Sequence, residues 1–277
     1  MRRIVLAGEV SVPVLGLGTW GWGEDSGRRS DEVAALRCSL DLGLSLVDTA
    51  EMYADGGAEE VVGEALAGRR DEAFVVSKVL PSNASRSGTV AACERSLRRL
   101  GTDRIDLYLL HWQGGQPLED TVAAFESLVN AGKIRFWGVS NFDHGALADL
   151  GHVPGGSGLA TDQVLYNLSR RGPEYDLLPW CADHELPVMA YSPIEQGRLL
   201  DDATLRDVAA GHGVSPAAAA LAWVLRGDSL CTIPKASNPE HVRDNATALD
   251  VELTQDDLEA LDRAFPPPDG PRTLEVL

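Results

Sequence analysis

The chain has 277 residues, 44% of them hydrophobic and 24% charged, with 42 acidic against 24 basic side chains and a formal net charge of -18. That acidity argues against nonspecific binding to nucleic acid or to an anionic membrane, and the longest apolar-rich stretch, Ala217–Leu225, is too short to span a bilayer. Met1-Arg2-Arg3-Ile4 lacks the apolar run of a secretory signal, and Cys38, Cys93, Cys181 and Cys231 form no C-x-x-C pair or Cys/His cluster, so reduced buried thiols, a cytoplasmic location and no metal are expected.

The first β-branched run is Val12–Thr19. A helix is expected next, with Ser30 as its cap, Val33, Leu36 and Leu40 on one face and Gly43 just past its end. Strand Leu44–Thr49 and helix Ala58–Ala67 follow, then strand Phe74–Val79 and helix Thr89–Leu100. Arg95, Arg98 and Arg99 suit the negative end of that last helix. Strand Ile105–Leu110 leads to a helix opening at Pro117, with Val122, Phe125 and Val129 as its apolar stripe. Strand Ile134–Val139, a short helix near Gly145–Leu150, strand Thr161–Leu165, a helix around Tyr175–Asp183 and strand Pro187–Tyr191 come next. Helices near Ala203–Ala210 and Ala217–Leu225 precede strand Leu230–Ile233, and helices Pro239–Ala248 and Asp256–Ala264 close the pattern.

The pattern is a repeated strand–helix unit with mostly continuous apolar strands, as parallel strands covered on both faces require. Eight such units fit an α/β fold of the (β/α)8 TIM-barrel type better than an open doubly wound sheet. No Pro/Gly/Ser linker divides the chain, so residues 1–277 are expected to form a single domain, with 266–277 an extended, poorly ordered tail. Gly16-Leu17-Gly18-Thr19-Trp20-Gly21 matches G-x-G-x-x-G, but that fingerprint needs a helix opening at the loop. No helix is expected before Ser30, so the dinucleotide-fingerprint reading is rejected and the glycines are assigned to a tight turn at the barrel mouth.

Active sites of such barrels lie at the carboxyl ends of the strands. Three successive strands end there in Asp48 with Tyr53 just beyond, in Ser77-Lys78 and in His111-Trp112. Singly, an aspartate caps, a histidine packs and a tyrosine fills space; in register they form one cluster. Carbonyl reduction needs a hydride on carbon and a proton on oxygen. A phenol with a pKa of about 10 is a weak acid at neutral pH, and the Lys78 ammonium, held by Asp48, is expected to lower it. His111 can donate to the carbonyl oxygen.

These residues resemble the aldo-keto reductase family. The matching segments are Gly16–Trp20, Val47–Tyr53, Ser77-Lys78, Leu110–Trp112, Gly138–Phe142, Gln163–Asn167, Ala190–Pro193 and Ile233–Lys235, in the family's order and spacing. The resemblance implies reduction of an aldehyde or ketone with NADPH, and Asp48, Tyr53, Lys78 and His111 match the family's catalytic four. It implies that Ser140, Asn141 and Gln163 bond the nicotinamide carboxamide and that Tyr191 stacks on its ring. Thr19 and Ser192 are likewise assigned to the cofactor, and Trp20 and Trp112 to the substrate pocket wall. Lys235-Ala236-Ser237, before a helix N-terminus, suits the 2′-phosphate, with Asp244 and Asn245 near the adenine.

Departures from the family pattern qualify this. His241 stands where many members carry arginine, which weakens the preference for NADPH and admits NADH. Ala54 and Gln113 replace a common glycine and proline, and Glu195 puts a carboxylate near the pyrophosphate that needs a donor such as Arg198. Two other readings stand beside the reductase: a barrel aldolase with Lys78 as Schiff-base nucleophile, and a cofactor-binding regulatory subunit with little turnover. The expected partner is a small carbonyl compound, with no nucleic acid or membrane, and the chain is expected as a monomer or weak oligomer.

Overall fold

Parallel strands need cover on both faces, and the apolar runs of this chain find it. In the computed structural model, which describes residues 2–277, eight strands pair in parallel in chain order. They are β3 (Leu17–Gly18), β4 (Leu46–Asp48), β5 (Phe74–Val79), β6 (Ile105–Leu110), β7 (Ile134–Ser140), β8 (Leu159–Leu165), β9 (Val188–Tyr191) and β10 (Leu230–Thr232). Leu15 bridges Thr232 and Gly18 bridges Lys235 in parallel, with Gly18 N donating to Pro234 O at 3.0 Å. These contacts join the first strand to the last, so the sheet closes into a barrel and the doubly wound alternative falls. Every residue of β5 and β6 is buried, between the barrel interior and the helical layer.

The outer layer comprises α1 (Arg29–Asp41), α2 (Gly57–Ala65), α3 (Arg86–Leu100), α4 (Leu118–Asn130), α5 (His144–Gly151), α6 (Leu177–Asp183), α7 (Ala203–His212), α8 (Pro216–Val224), α9 (Pro239–Ala246) and α10 (Gln255–Ala264). Ser85 caps α3 by accepting from Gly88 N, which starts that helix before the expected Thr89. Asp25 caps a turn at Ser26–Arg28 that runs into α1, so Ser30 lies inside the helix and is not its cap. All four cysteines are buried and unpaired, three in helices and one in β10.

The first expected strand divides in two. Val10–Pro13 (β2) pairs antiparallel with Arg3–Leu6 (β1), and only Leu17–Gly18 joins the barrel. Alternation explains the hairpin, since Ile4, Leu6 and Val12 are buried while Arg3, Val5 and Ser11 between or beside them are exposed. Pro13 has no N–H to extend a ladder. Arg2 donates to Gly227 O, which sets the hairpin beside the amino end of β10. Gly16 and Gly18 are glycines because the barrel closes tightly there. A Cβ would lie 2.6 Å from Leu46 O at the first and 2.5 Å from Ile233 O at the second. This is a packing role, and no helix opens at that loop.

The segment 266–277 has no helix or strand, and side-chain and backbone contacts tie it to the barrel. Arg171 Nη1 holds Phe265 O, Leu274 packs on the core, Glu275 pairs with Arg170, and Leu277 N reaches the Tyr191 hydroxyl at 3.4 Å.

Candidate active site

Asp48 ends β4 and Lys78 lies one residue before the end of β5, so strand register brings them together at the carboxyl end of the barrel. Lys78 is fully buried. Its Nζ donates to Asp48 Oδ2 at 2.7 Å, to Thr49 O at 2.9 Å and to the Tyr53 hydroxyl oxygen at 3.1 Å. Those are the three donors an ammonium has, so the site is built for a charged lysine. Asp48 Oδ1 accepts from Gln163 Nε2 at 2.7 Å, which ties β8 into the same network.

Tyr53 is carried on a strained loop. Ala54 and Asp55 have φ of 51° and 52°, in the left-handed region that side chains disfavour. Buried Glu51 steadies this loop by accepting from Leu80 N and Asn83 Nδ2, each at 2.9 Å. The sequence contained Glu51 in a matching segment but gave no reason to assign it a task. Its buried setting supplies that reason. Gly56, at φ 94°, also lies against Arg99, whose side chain a Cβ would meet at 2.4 Å.

Charge on this cluster departs from one expectation. Burial pushes the Tyr53 phenol up, Lys78 opposes this, and the net direction is upward. Lys78 has not made the free phenol a stronger acid, because desolvation outweighs its field. Burial opposes the Lys78 charge, but Asp48 and then Tyr53 favour it, and its pKa is raised. His111, at the end of β6, has its ring centroid 6.0 Å from that of Tyr53 in an edge contact. Burial and the Lys78 charge push the imidazole down to about 3. It is therefore neutral at physiological pH, and its buried Nδ1 has no hydrogen-bond partner, which leaves Nε2 to meet a ligand. The arrangement offers a protonated phenol backed by a fixed positive charge, next to a neutral imidazole.

The neighbouring strand ends are linked to this cluster. Ser140 Oγ donates to Gln163 O, and Asn141 Nδ2 donates to His111 O and to Ser140 Oγ. Tyr191, at the end of β9, donates to Asn141 Oδ1 at 2.9 Å. Gln163 Oε1 receives no donor among the described residues, and it is an acceptor suited to an amide N–H. Thr19 Oγ1 donates to Asp48 O at 3.0 Å, so it also braces the strand that carries Asp48. Trp20, Met52 and Trp112 are 53%, 47% and 38% exposed around an open mouth, with the Trp112 ring 4.9 Å from that of His111.

Beyond β10, Lys235 is exposed and forms no ion pair among the described residues. Ser237 is half-buried, and Asn238 caps α9 by accepting from His241 N. His241 is exposed and Asn245 buried, while Asp244 Oδ2 already accepts from Ser215 Oγ at the start of α8. Glu195 is buried and carries more partners than the expected Arg198 alone. Arg170 forks onto its Oε1 at 2.9 and 3.1 Å, Arg198 adds a bond at 3.0 Å, and Asn167 donates to Oε2 at 2.8 Å. Burial would raise this carboxyl, but these donors win and its pKa is lowered. Arg170 was not legible as a partner because it follows a different strand.

Comparison with known proteins agrees with this geometry. A profile described as the Aldo/keto reductase family matches residues 14–265. The chain is 53% identical to "Methylglyoxal reductase YeaE" of Escherichia coli (strain K12) over 100% of this chain and 99% of that one. It is 34% identical to "Glyoxal reductase" of Bacillus subtilis (strain 168), covering 91% and 89% of the two chains. Among solved structures, an aldo-keto reductase from Klebsiella pneumoniae in complex with NADPH superposes with a TM-score of 0.98 at 50% identity, covering 100% and 99%. A closed barrel, a buried lysine shared by an aspartate and a tyrosine, and likeness along the whole chain lead to one conclusion: the chain belongs to the aldo/keto reductase family.

Proposed function

We propose that this reductase acts on small α-oxoaldehydes, methylglyoxal among them, with Tyr53 as proton donor. The reaction class is the NADPH-dependent reduction of an aldehyde or ketone to an alcohol. The substrate reading draws on the two relatives named for methylglyoxal and glyoxal reduction. One observation carries the mechanism: Lys78 Nζ sits between Asp48 and the Tyr53 hydroxyl, beside a neutral His111.

When bound, NADPH supplies the hydride for the carbonyl carbon. The chain handles the oxygen. His111 Nε2 donates to it and fixes its position, and Tyr53 gives up its proton as negative charge develops. Lys78 stabilises the resulting phenolate at 3.1 Å, and Asp48 keeps Lys78 charged. The upward shift of the free phenol keeps it protonated and ready to donate. A Schiff-base lysine is disfavoured, because Lys78 stays an ammonium with all three donors engaged.

For the cofactor, Ser140, Asn141 and Gln163 would hold the carboxamide and Tyr191 the nicotinamide face. Gln163 Oε1 and the unpaired Lys235 have the acceptor and donor chemistry such a ligand needs. Lys235, Ser237 and His241 would meet the 2′-phosphate, Asp244 and Asn245 the adenine, and Thr19 and Ser192 the groups between. Trp20 and Trp112 would wall the substrate. An exposed His241 is a weaker phosphate partner than arginine, so NADH is a second cofactor in this reading. A cytoplasmic monomer or weak oligomer fits a net charge of -18, which opposes self-association. No helix among the described residues is long and apolar enough to cross a membrane.

Steady-state NADPH consumption tests the substrate. A kcat/KM for methylglyoxal above that for a simple aromatic aldehyde is expected, and the reverse order would count against small α-oxoaldehydes. Lys235→Ala is expected to weaken NADPH about ten-fold or more, as loss of a charge-assisted contact does, with NADH affected about two-fold. Equal losses for the two would remove Lys235 from the 2′-phosphate.

A further inference from the structure

The segment Ser192–Gly197, here called the belt, follows Tyr191 directly at the carboxyl end of β9. In the proposed placement, a dinucleotide that reaches from Tyr191 to Lys235 would start beside this segment. Ser192, Glu195 and Gln196 have φ of 51°, 50° and 55°, so three non-glycine residues are held in the left-handed region. Such a backbone persists only when its surroundings enforce it. Asn167 and Arg170, both following β8, supply that enforcement. Asn167 Nδ2 donates to Ser192 O at 2.9 Å and to Glu195 Oε2 at 2.8 Å, while Arg170 forks onto Glu195 Oε1. The backbone N of Arg170 is itself held by Asn167, through its carbonyl at 3.0 Å and its side-chain Oδ1 at 3.1 Å.

The remaining end of the Arg170 guanidinium is taken by the C-terminal segment: Nη1 donates to Glu275 Oε1 at 2.5 Å. Two residues on, Leu277 N meets the Tyr191 hydroxyl. Residues 275–277 thus touch the Ser192–Gly197 belt at both of its supports, Tyr191 in front and the Glu195–Arg170 pair behind. Glu275 is half exposed and Arg170 one-third exposed, so this contact is reversible, while the Glu195 end is buried.

We propose that residues 266–277 act as a latch on the cofactor belt, with Arg170 as the positioning residue that transmits the state of the latch to Glu195. The proposal rests on the cofactor placement given under Proposed function. With Glu275 seated, Arg170 is fixed at both ends and the belt is stiff. With Glu275 released, Arg170 can turn from Glu195, the belt loosens and the nicotinamide cofactor leaves faster. Product exchange is often the slow step in enzymes that close over a ligand, so the latch sets the rate of cofactor turnover without touching the reacting atoms.

The test is stopped-flow release of NADPH from the full chain, followed by its fluorescence after dilution into excess unlabelled NADP. Glu275→Gln is expected to speed release about two- to five-fold, the size set by a partly exposed ion pair. High salt should erase the difference between this variant and the wild type, because screening opens the latch in both. In an Arg170→Gln background, Glu275→Gln should add nothing. Release within about 1.2-fold of wild type, a difference that survives high salt, or a full additional effect in the Arg170→Gln background would each overturn the latch. Should Arg170→Gln fail to fold, the salt comparison still decides. Wild-type protein that binds no NADPH would refute the cofactor placement instead, whereas tight binding with unchanged release refutes only the latch.

Discussion

Replacing Tyr53 with phenylalanine is expected to lower kcat by about 10²- to 10⁴-fold, the usual worth of general acid catalysis. NADPH affinity should stay within about three-fold, because the hydroxyl faces Lys78 and not the groups assigned to the cofactor. The ring remains to pack beside His111, so stability should change little. Fluorescence titration of NADPH and turnover of methylglyoxal measure the two quantities separately. A variant that keeps more than about a tenth of wild-type turnover would show that another group delivers the proton.

Lys78→Met is expected to be severe in both activity and stability. Without the ammonium, Asp48 is left 1% exposed with a single amide donor, and the phenolate loses its stabilising charge. Breaking a buried ion pair by removing one partner costs about 3–5 kcal/mol. The double variant Asp48→Asn/Lys78→Met removes both charges. It should recover most of the lost stability and none of the activity. Urea melts and turnover assays on wild type, single and double variants check this. If the double variant is no more stable than the single, the pair is not the electrostatic unit described here.

Much of this was legible in the sequence, for identifiable reasons. Phe74–Val79 and Ile105–Leu110 match β5 and β6 residue for residue, since these strands are mostly apolar runs bounded by polar or helix-forming segments. Asp48, Lys78 and His111 could be grouped before any coordinates because each sits at or next to a strand's carboxyl end. Parallel strands bring such ends to one rim, and the structure joins Asp48, Lys78 and Tyr53 directly, with His111 beside them.

What escaped depended on contacts between distant segments. Val12–Thr19 read as one strand because its apolar residues are contiguous. Its split into a hairpin strand and a two-residue barrel strand is decided by pairing with Arg3–Leu6 and by closure against Ile233. The direction of the Tyr53 shift escaped because burial, joined by the Asp48 charge, outweighs Lys78, and burial cannot be read from a list of neighbours. The C-terminal segment, rich in proline and lacking periodicity, looked loose. Its anchors, Arg170 and Tyr191, lie about a hundred residues upstream.

The central claim is that Tyr53, and not His111, gives the proton. The most direct measurement is the single-turnover rate of hydride transfer from prebound NADPH to methylglyoxal as a function of pH. A donor must be protonated to act. A phenol raised above its usual value predicts a flat rate from pH 5.5 to about 9, falling only as the phenol ionises above about 10. A rate that instead falls with rising pH anywhere below about 9 would show that a group losing its proton before the phenol makes the transfer, and would contradict the mechanism.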